Sequence, residues 1–192
     1  MFLTRLGLIF SFLFFLNSCA SVISATTGDE GIQEDRGRRS MGAVVDDNSI
    51  ETTIKVNLNA VDEQLKKAHI NVVSFNGTVL MVGQVPSQEM KNLATRVART
   101  SSSRVKEVYN ELEVAGTTTF LSRSNDAWLT AKIKTLMLAD SEVSGFRTKV
   151  ISENGVVYLM GLLSQEDANK TVNLVSNTKG VTKVVRAFEY IN

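Results

Sequence analysis

The chain has 192 residues, with 21 Lys and Arg against 20 Asp and Glu, for a formal net charge of +1. That balance excludes a strongly basic nucleic-acid binder, so nucleic acid is not an expected partner. A single cysteine excludes an intramolecular disulfide.

Residues 1–18 read as a secretory signal peptide. Arg5 is the basic start, and Leu6 to Leu16 is an apolar run rich in Phe and Leu. A membrane-spanning helix needs roughly 20 such residues, so this run fits the apolar core of a signal peptide instead. It ends in Leu16-Asn17-Ser18-Cys19, which resembles the lipobox of bacterial lipoproteins. The resemblance implies that Cys19 becomes the mature N-terminus and the site of lipid attachment, palmitate included. Several acyl chains hold a protein stably, where one does so only marginally. The next residue is Ala20 rather than Asp, which by the same resemblance implies sorting to the outer membrane, on its periplasmic face.

Residues 19–46 read as the lipidated N-terminus and a flexible tether. Gly, Ser, Thr and charges dominate, with no sustained helical or strand period. A basic cluster, Gly37-Arg38-Arg39, interrupts it.

The remainder is an internal duplication. Its clearest mark is the pair VVSFNGTVLMVG (72–83) and VISENGVVYLMG (150–161). Each is β-type sequence broken by Asn-Gly, at Asn76-Gly77 and Asn154-Gly155. Asn-Gly tolerates the positive φ of a type I′ turn, so each stretch predicts a hairpin. Elements on either side align with offsets of 76 to 79 residues, drifting only at loops. Each unit therefore predicts helix, strand, strand, helix, strand. Helices are expected near 48–61, 87–101, 125–140 and 164–177. Ser87 and Ser164 are predicted N-caps, with Glu89 and Glu166 in the first turns. The predicted fold class is α+β: two tandem αββαβ domains, 47–115 and 125–192, joined by a short linker, 116–124. Each would be a three-stranded mixed sheet with two helices on one face.

The αββαβ order, a Gly-ended second strand and the closing stretches VKEVYNEL (105–112) and VTKVVRAF (181–188) resemble the BON domain family. The second closing stretch departs from the family pattern at Arg186-Ala187. With the lipobox, the whole resembles outer-membrane lipoproteins carrying two such domains. That resemblance implies no known catalysis. It implies association with anionic phospholipid, such as phosphatidylglycerol, through the second domain. It also implies a role in envelope integrity, with enrichment at division sites. The alternative is a periplasmic protein-interaction adaptor, serving the outer-membrane barrel assembly machinery or folding clients.

The residues themselves offer no catalytic constellation and call for no cofactor. The one histidine, His69, opens a predicted strand. Asp46-Asp47 precede a predicted helix, where carboxylates cap free N–H groups. No carboxylate cluster has metal-ligand spacing. Gly83 and Gly161 are single, unlike a phosphate loop.

The candidate site is the first helix of the second unit. On a wheel of about 100° per residue, Leu129, Ile133, Leu136 and Met137 form one core-facing stripe. Trp128, Lys132, Thr135 and Leu138 lie off it. The twin helix has Ser49 at the place of Trp128 and Asn59 at that of Leu138. The shared fold therefore does not require this Trp and Leu. They are expected either at the contact between units or on a surface for a partner. Arg123, Lys132 and Lys134 outnumber Asp126 on the segment. An amphipathic Trp with basic neighbours suits an anionic membrane surface. The expected phospholipid-binding residues are Trp128, Leu129, Lys132, Lys134, Thr135 and Leu138.

Overall fold

The computed structural model describes residues 37–116 and 120–191. The expected signal peptide, Cys19 and most of the expected tether lie outside the described residues. In chain order, the first repeat comprises α1 (Met41–Val61), α2 (Glu63–Lys67), β1 (His69–Phe75), β2 (Thr78–Val85), α3 (Gln88–Thr100) and β3 (Glu107–Val114). The second comprises α4 (Phe120–Ala139), a 3-10 turn (Gly145–Arg147), β4 (Thr148–Glu153), β5 (Val156–Leu163), α5 (Gln165–Ser176) and β6 (Lys183–Tyr190). The strand orders are β1-β2-β3 and β4-β5-β6. In each sheet the first pair is antiparallel and the second parallel. The α+β reading and the duplication are both present in the fold. Ser87 and Ser164 cap α3 and α5, accepting from the amides of Met90 and Asp167.

Two boundaries differ from the sequence reading. α1 starts at Met41, not near residue 47, so residues 41–46 are helix rather than tether. Ser40 caps it, its hydroxyl accepting from the Ala43 amide. Tertiary contacts hold this first turn: Arg39 donates to Asp47 at 2.6 Å and its guanidinium lies 4.0 Å from the Phe75 ring centroid. Met41 and Val45 point to solvent, so no apolar periodicity announces the turn. Likewise α4 starts at Phe120, well inside the stretch 116–124 expected as linker.

The hairpin turns form as predicted. Asn76 and Asn154 have φ of 51° and 50°, and Gly77 and Gly155 have 81° and 76°. What holds them was not predicted. Asp47 does not cap α1 but lies within it, 2 % exposed. Its carboxylate accepts from the amides of Asn76 and Gly77, the Ser74 hydroxyl and Arg39. Burial pushes this carboxyl up, but the donors outweigh it and hold it below its ordinary value. Asp126 in α4 repeats the clamp on the amides of Asn154 and Gly155. Asp46 caps nothing either; it pairs with Arg104.

Strand alternation builds two layers of core. In β2, Val79, Met81 and Val85 face the helices while Leu80 and Val82 face away. In β5, Val157, Leu159 and Leu163 face the helices, and Tyr158, Met160 and Leu162 face away. The two away-facing sets form one shared cluster with Val73, Phe75, Ile151 and Ala187. The sheets thus pack on each other, helices outside. Each fully buried large apolar side chain stabilises such an interface by about 1.5–3 kcal/mol. This explains why β2 and β5 read as nearly continuous apolar runs: both of their faces are covered.

Polar contacts rim the interface with approximate two-fold symmetry. Asn76 donates to Glu189 at 2.6 Å, and its twin Asn154 donates to Glu113 at 3.3 Å. One end breaks the symmetry. Gln84 donates to the buried Glu153 at 2.8 Å, with His69 3.6 Å from that carboxylate. The twin positions of Glu153 and Gln84 are the apolar Phe75 and Leu162.

Candidate functional site

α4 buries one stripe and exposes another. Leu129, Ile133 and Met137 enter the core beneath the helix. Leu129, expected among the lipid-contacting residues, is 4 % exposed and belongs to that core. Leu136, expected in the core stripe, is instead 38 % exposed. It sits at the stripe's edge, and its twin Asn57 is polar, donating to Ser101. That twin was a legible sign that the fold asks for no apolar group there.

Trp128 is 63 % exposed and Leu138 53 % exposed. The contact between repeats is made by sheets, so Trp128 is not packed there. Trp128, Ala131, Thr135 and Leu138 recur at intervals of three, four and three residues, which places them in one line on the outer face of α4. The line is about 15 Å long, from a rise of 1.5 Å per residue. Ala131 was missed from sequence because it is small, though its spacing gives it away. The Thr135 hydroxyl donates to the Ala131 carbonyl at 3.0 Å. That bond uses the polar group internally and leaves the side chain compatible with an apolar line.

Basic groups flank the line. The Lys132 ammonium lies 5.1 Å from the Trp128 ring centroid and donates to the Lys179 carbonyl at 3.1 Å. It is thereby held against the ring, a favourable cation–π placement. Lys134 is exposed on the opposite flank.

The first repeat shows what the second has changed. Between α1 and its hairpin lies a cleft of about 300 Å³, lined by Asp46, Ile50, Gly77 and Arg104 among others. Arg104 bridges to Asp46 at 2.6 Å and to Ser49 at 3.2 Å. The equivalent cleft of the second repeat is about 460 Å³. Asn125, Trp128 and Gly180 line it, and they align with Asp46, Ser49 and Arg104. An ion-paired rim is replaced by an aromatic one. Among the described residues no group of three or more His, Cys, Asp or Glu could hold a metal ion. His69 lies beside Glu153 at the interface of the sheets. The outer face of α4 is apolar along its line and basic at its sides.

Comparison with known proteins places these features in a family. The family model described as BON domain matches residues 46–116 and 125–192. The chain is 38 % identical over 194 aligned positions to the outer membrane lipoprotein DolP of Haemophilus influenzae, covering 99 % of this chain and 97 % of that protein. It is 40 % identical to a 21 kDa hemolysin of Actinobacillus pleuropneumoniae, over 80 % of this chain and 78 % of that one. It is 29 % identical to osmotically-inducible protein Y of Escherichia coli, over 83 % and 80 %.

Proposed function

The chain belongs to the BON domain family, and from that premise we propose that it is a non-enzymatic lipoprotein of the outer membrane. It is anchored on the periplasmic face through acyl chains on Cys19, and its second domain docks on anionic phospholipid. The name of the Haemophilus relative supports the outer-membrane and lipoprotein parts. One observation carries the docking: an exposed Trp128 and Leu138 on a single line of α4, flanked by Lys132 and Lys134, where the twin helix has Ser49 and Asn59.

The energies suit a switchable contact. Burying Trp128 and Leu138 in the bilayer interface contributes about 3–5 kcal/mol. Two basic residues at an anionic surface add about 1 kcal/mol each. The sum corresponds to dissociation constants from about 0.2 mM to about 10 micromolar. Lipid anchorage raises the effective concentration, so a weak contact suffices. The protein stays anchored everywhere and docks where anionic lipid is rich. Support of envelope integrity and enrichment at division sites follow as its cellular role.

The test is vesicle co-sedimentation of residues 37–192 with neutral against phosphatidylglycerol-containing lipid. Trp128→Glu abolishes sedimentation with anionic vesicles and leaves the thermal transition within about 0.5 kcal/mol of wild type. Retained binding removes the docking site from α4.

A second reading, the adaptor, draws on a different feature. A cleft of about 550 Å³ in the first repeat is lined by Lys67, Gln84, Val85, Pro86 and the exposed Val114. A photocrosslinker at Val114 that captures a barrel-assembly component in intact cells supports it.

A further inference from the structure

Phe146, in the 3-10 turn after α4, is 94 % exposed. The core does not require it. Thr148 and Ile70 oppose the twin glycines Gly161 and Gly83 across their hairpins. Counting back from that register, Phe146 stands where the first repeat has Ala68, and Val143 where it has the buried Leu65. Val143 packs on the second core, so the core position of this connection is filled without the phenyl ring.

Its place continues the outer line of α4. The backbone of Gly145 abuts Met137 and Leu138: a Cβ there would stand 2.8 Å from the Met137 carbonyl oxygen and 3.3 Å from the Leu138 amide nitrogen. Phe146 is the next residue and so stands near Leu138, the last member of that line. The nearby acids lie elsewhere. Asp140 and Glu142 border a hollow shared with Leu174 of α5, on the side of α4 turned towards that helix.

The path of the chain also leads here. Gly37 lies against the Arg147 guanidinium, where an added Cβ would come within 2.6 Å of Arg147 Cζ. Gly37, the first described residue, thus stands beside Arg147, the neighbour of Phe146 in the chain. Cys19 stands 18 positions earlier, so its acyl chains lie within about 60 Å of this point even at full extension.

We propose that Phe146 is a second insertion point of this domain into the bilayer interface, fixing the outer line of α4 on the membrane at its C-terminal end while Trp128 fixes the other end of that line. This rests on the docking reading of α4. Two separated contacts set an orientation, where one leaves the domain free to pivot. Orientation in turn decides which surface of the first repeat faces the periplasm.

Two single-tryptophan proteins test it: the wild-type chain, reporting at Trp128, and the variant carrying Trp128→Phe with Phe146→Trp. Both are lipidated at Cys19 and placed in vesicles of phosphatidylcholine with phosphatidylglycerol. Their emission is read against lipids brominated along the acyl chain. The expected result is blue-shifted, bromine-quenched emission from both positions. In addition, Phe146→Ser in the unacylated chain from Gly37 to Asn192 weakens vesicle binding about tenfold, read by Trp128 emission. Quenching at position 128 but not 146, with unchanged affinity for Phe146→Ser, overturns this proposal and leaves α4 docking intact. Absence of quenching at both positions overturns the docking reading itself.

Discussion

The two repeats share one fold and differ in what they do with it. In the first, the mouth of the cleft between helix and hairpin is closed by Arg104, Asp46 and Ser49. In the second, the same mouth carries Trp128 and the outer helix face is apolar. The core stripes are matched: Ile50, Ile54 and Leu58 in α1 answer Leu129, Ile133 and Met137 in α4. The comparison teaches that duplication separates two demands. Positions both copies keep apolar serve the fold, and positions where one copy alone is apolar are available for function.

The hairpin clamp offers the largest effect on which to break this parallel. Asp47 serves four donors, while Asp126 accepts from two backbone amides. Asp47→Ala is expected to cost about 3–5 kcal/mol and Asp126→Ala about 2 kcal/mol, by urea unfolding. Equal losses would mean that Ser74 and Arg39 add nothing to the clamp. The Asp47 carboxyl is held below its ordinary value. Its contribution is therefore complete above the unfolded value of about 3.9 and is lost as pH falls through the folded one. Asp47→Asn should flatten the loss of stability below about pH 4, as urea midpoints in acid would show.

The asymmetric end of the sheet interface comes next. Gln84→Leu leaves the buried Glu153 carboxylate without its amide donor and should cost about 2 kcal/mol. Adding Glu153→Phe recreates the apolar pair of Phe75 and Leu162 found at the twin positions, and most of that loss should return. A double variant no more stable than the single one would show that the two ends are not interchangeable.

The smallest effect concerns the basic flank. Lys132→Ala should weaken binding to anionic vesicles about fivefold and leave neutral vesicles unaffected, since one basic residue contributes about 1 kcal/mol. High salt should erase the difference. An equal loss on both lipids would assign Lys132 to positioning Trp128 rather than to charge.

Much of this was legible in the residues themselves. Asn-Gly flanked by β-type runs fixes hairpin positions, because local turn chemistry needs no distant partner. The repeat made each copy a control for the other, and it singled out Trp128 and Leu138, which both stand exposed. The wheel failed at its margins. The wheel puts Leu136 inward, though it is 38 % exposed, because a wheel gives direction on a helix but not how far the neighbouring elements reach around it. It puts Leu129 in the core, where it lies, against its place among the expected lipid contacts. The extra turns of α1 and α4 were also missed, since contacts such as Arg39 with Asp47 and Phe75 hold α1 where periodicity is silent.

The sequence alone determined the duplication, the order of elements, the turns and the candidate helix, all of which follow from local propensity and spacing. Only the tertiary structure decided that the sheets pack face to face, that Asp47 clamps a hairpin rather than caps a helix and Asp126 does the same in the second repeat, and that Phe146 stands bare beside the line of α4. Each of these depends on which groups meet across long separations in the chain. That is a matter of packing, and no local pattern encodes it.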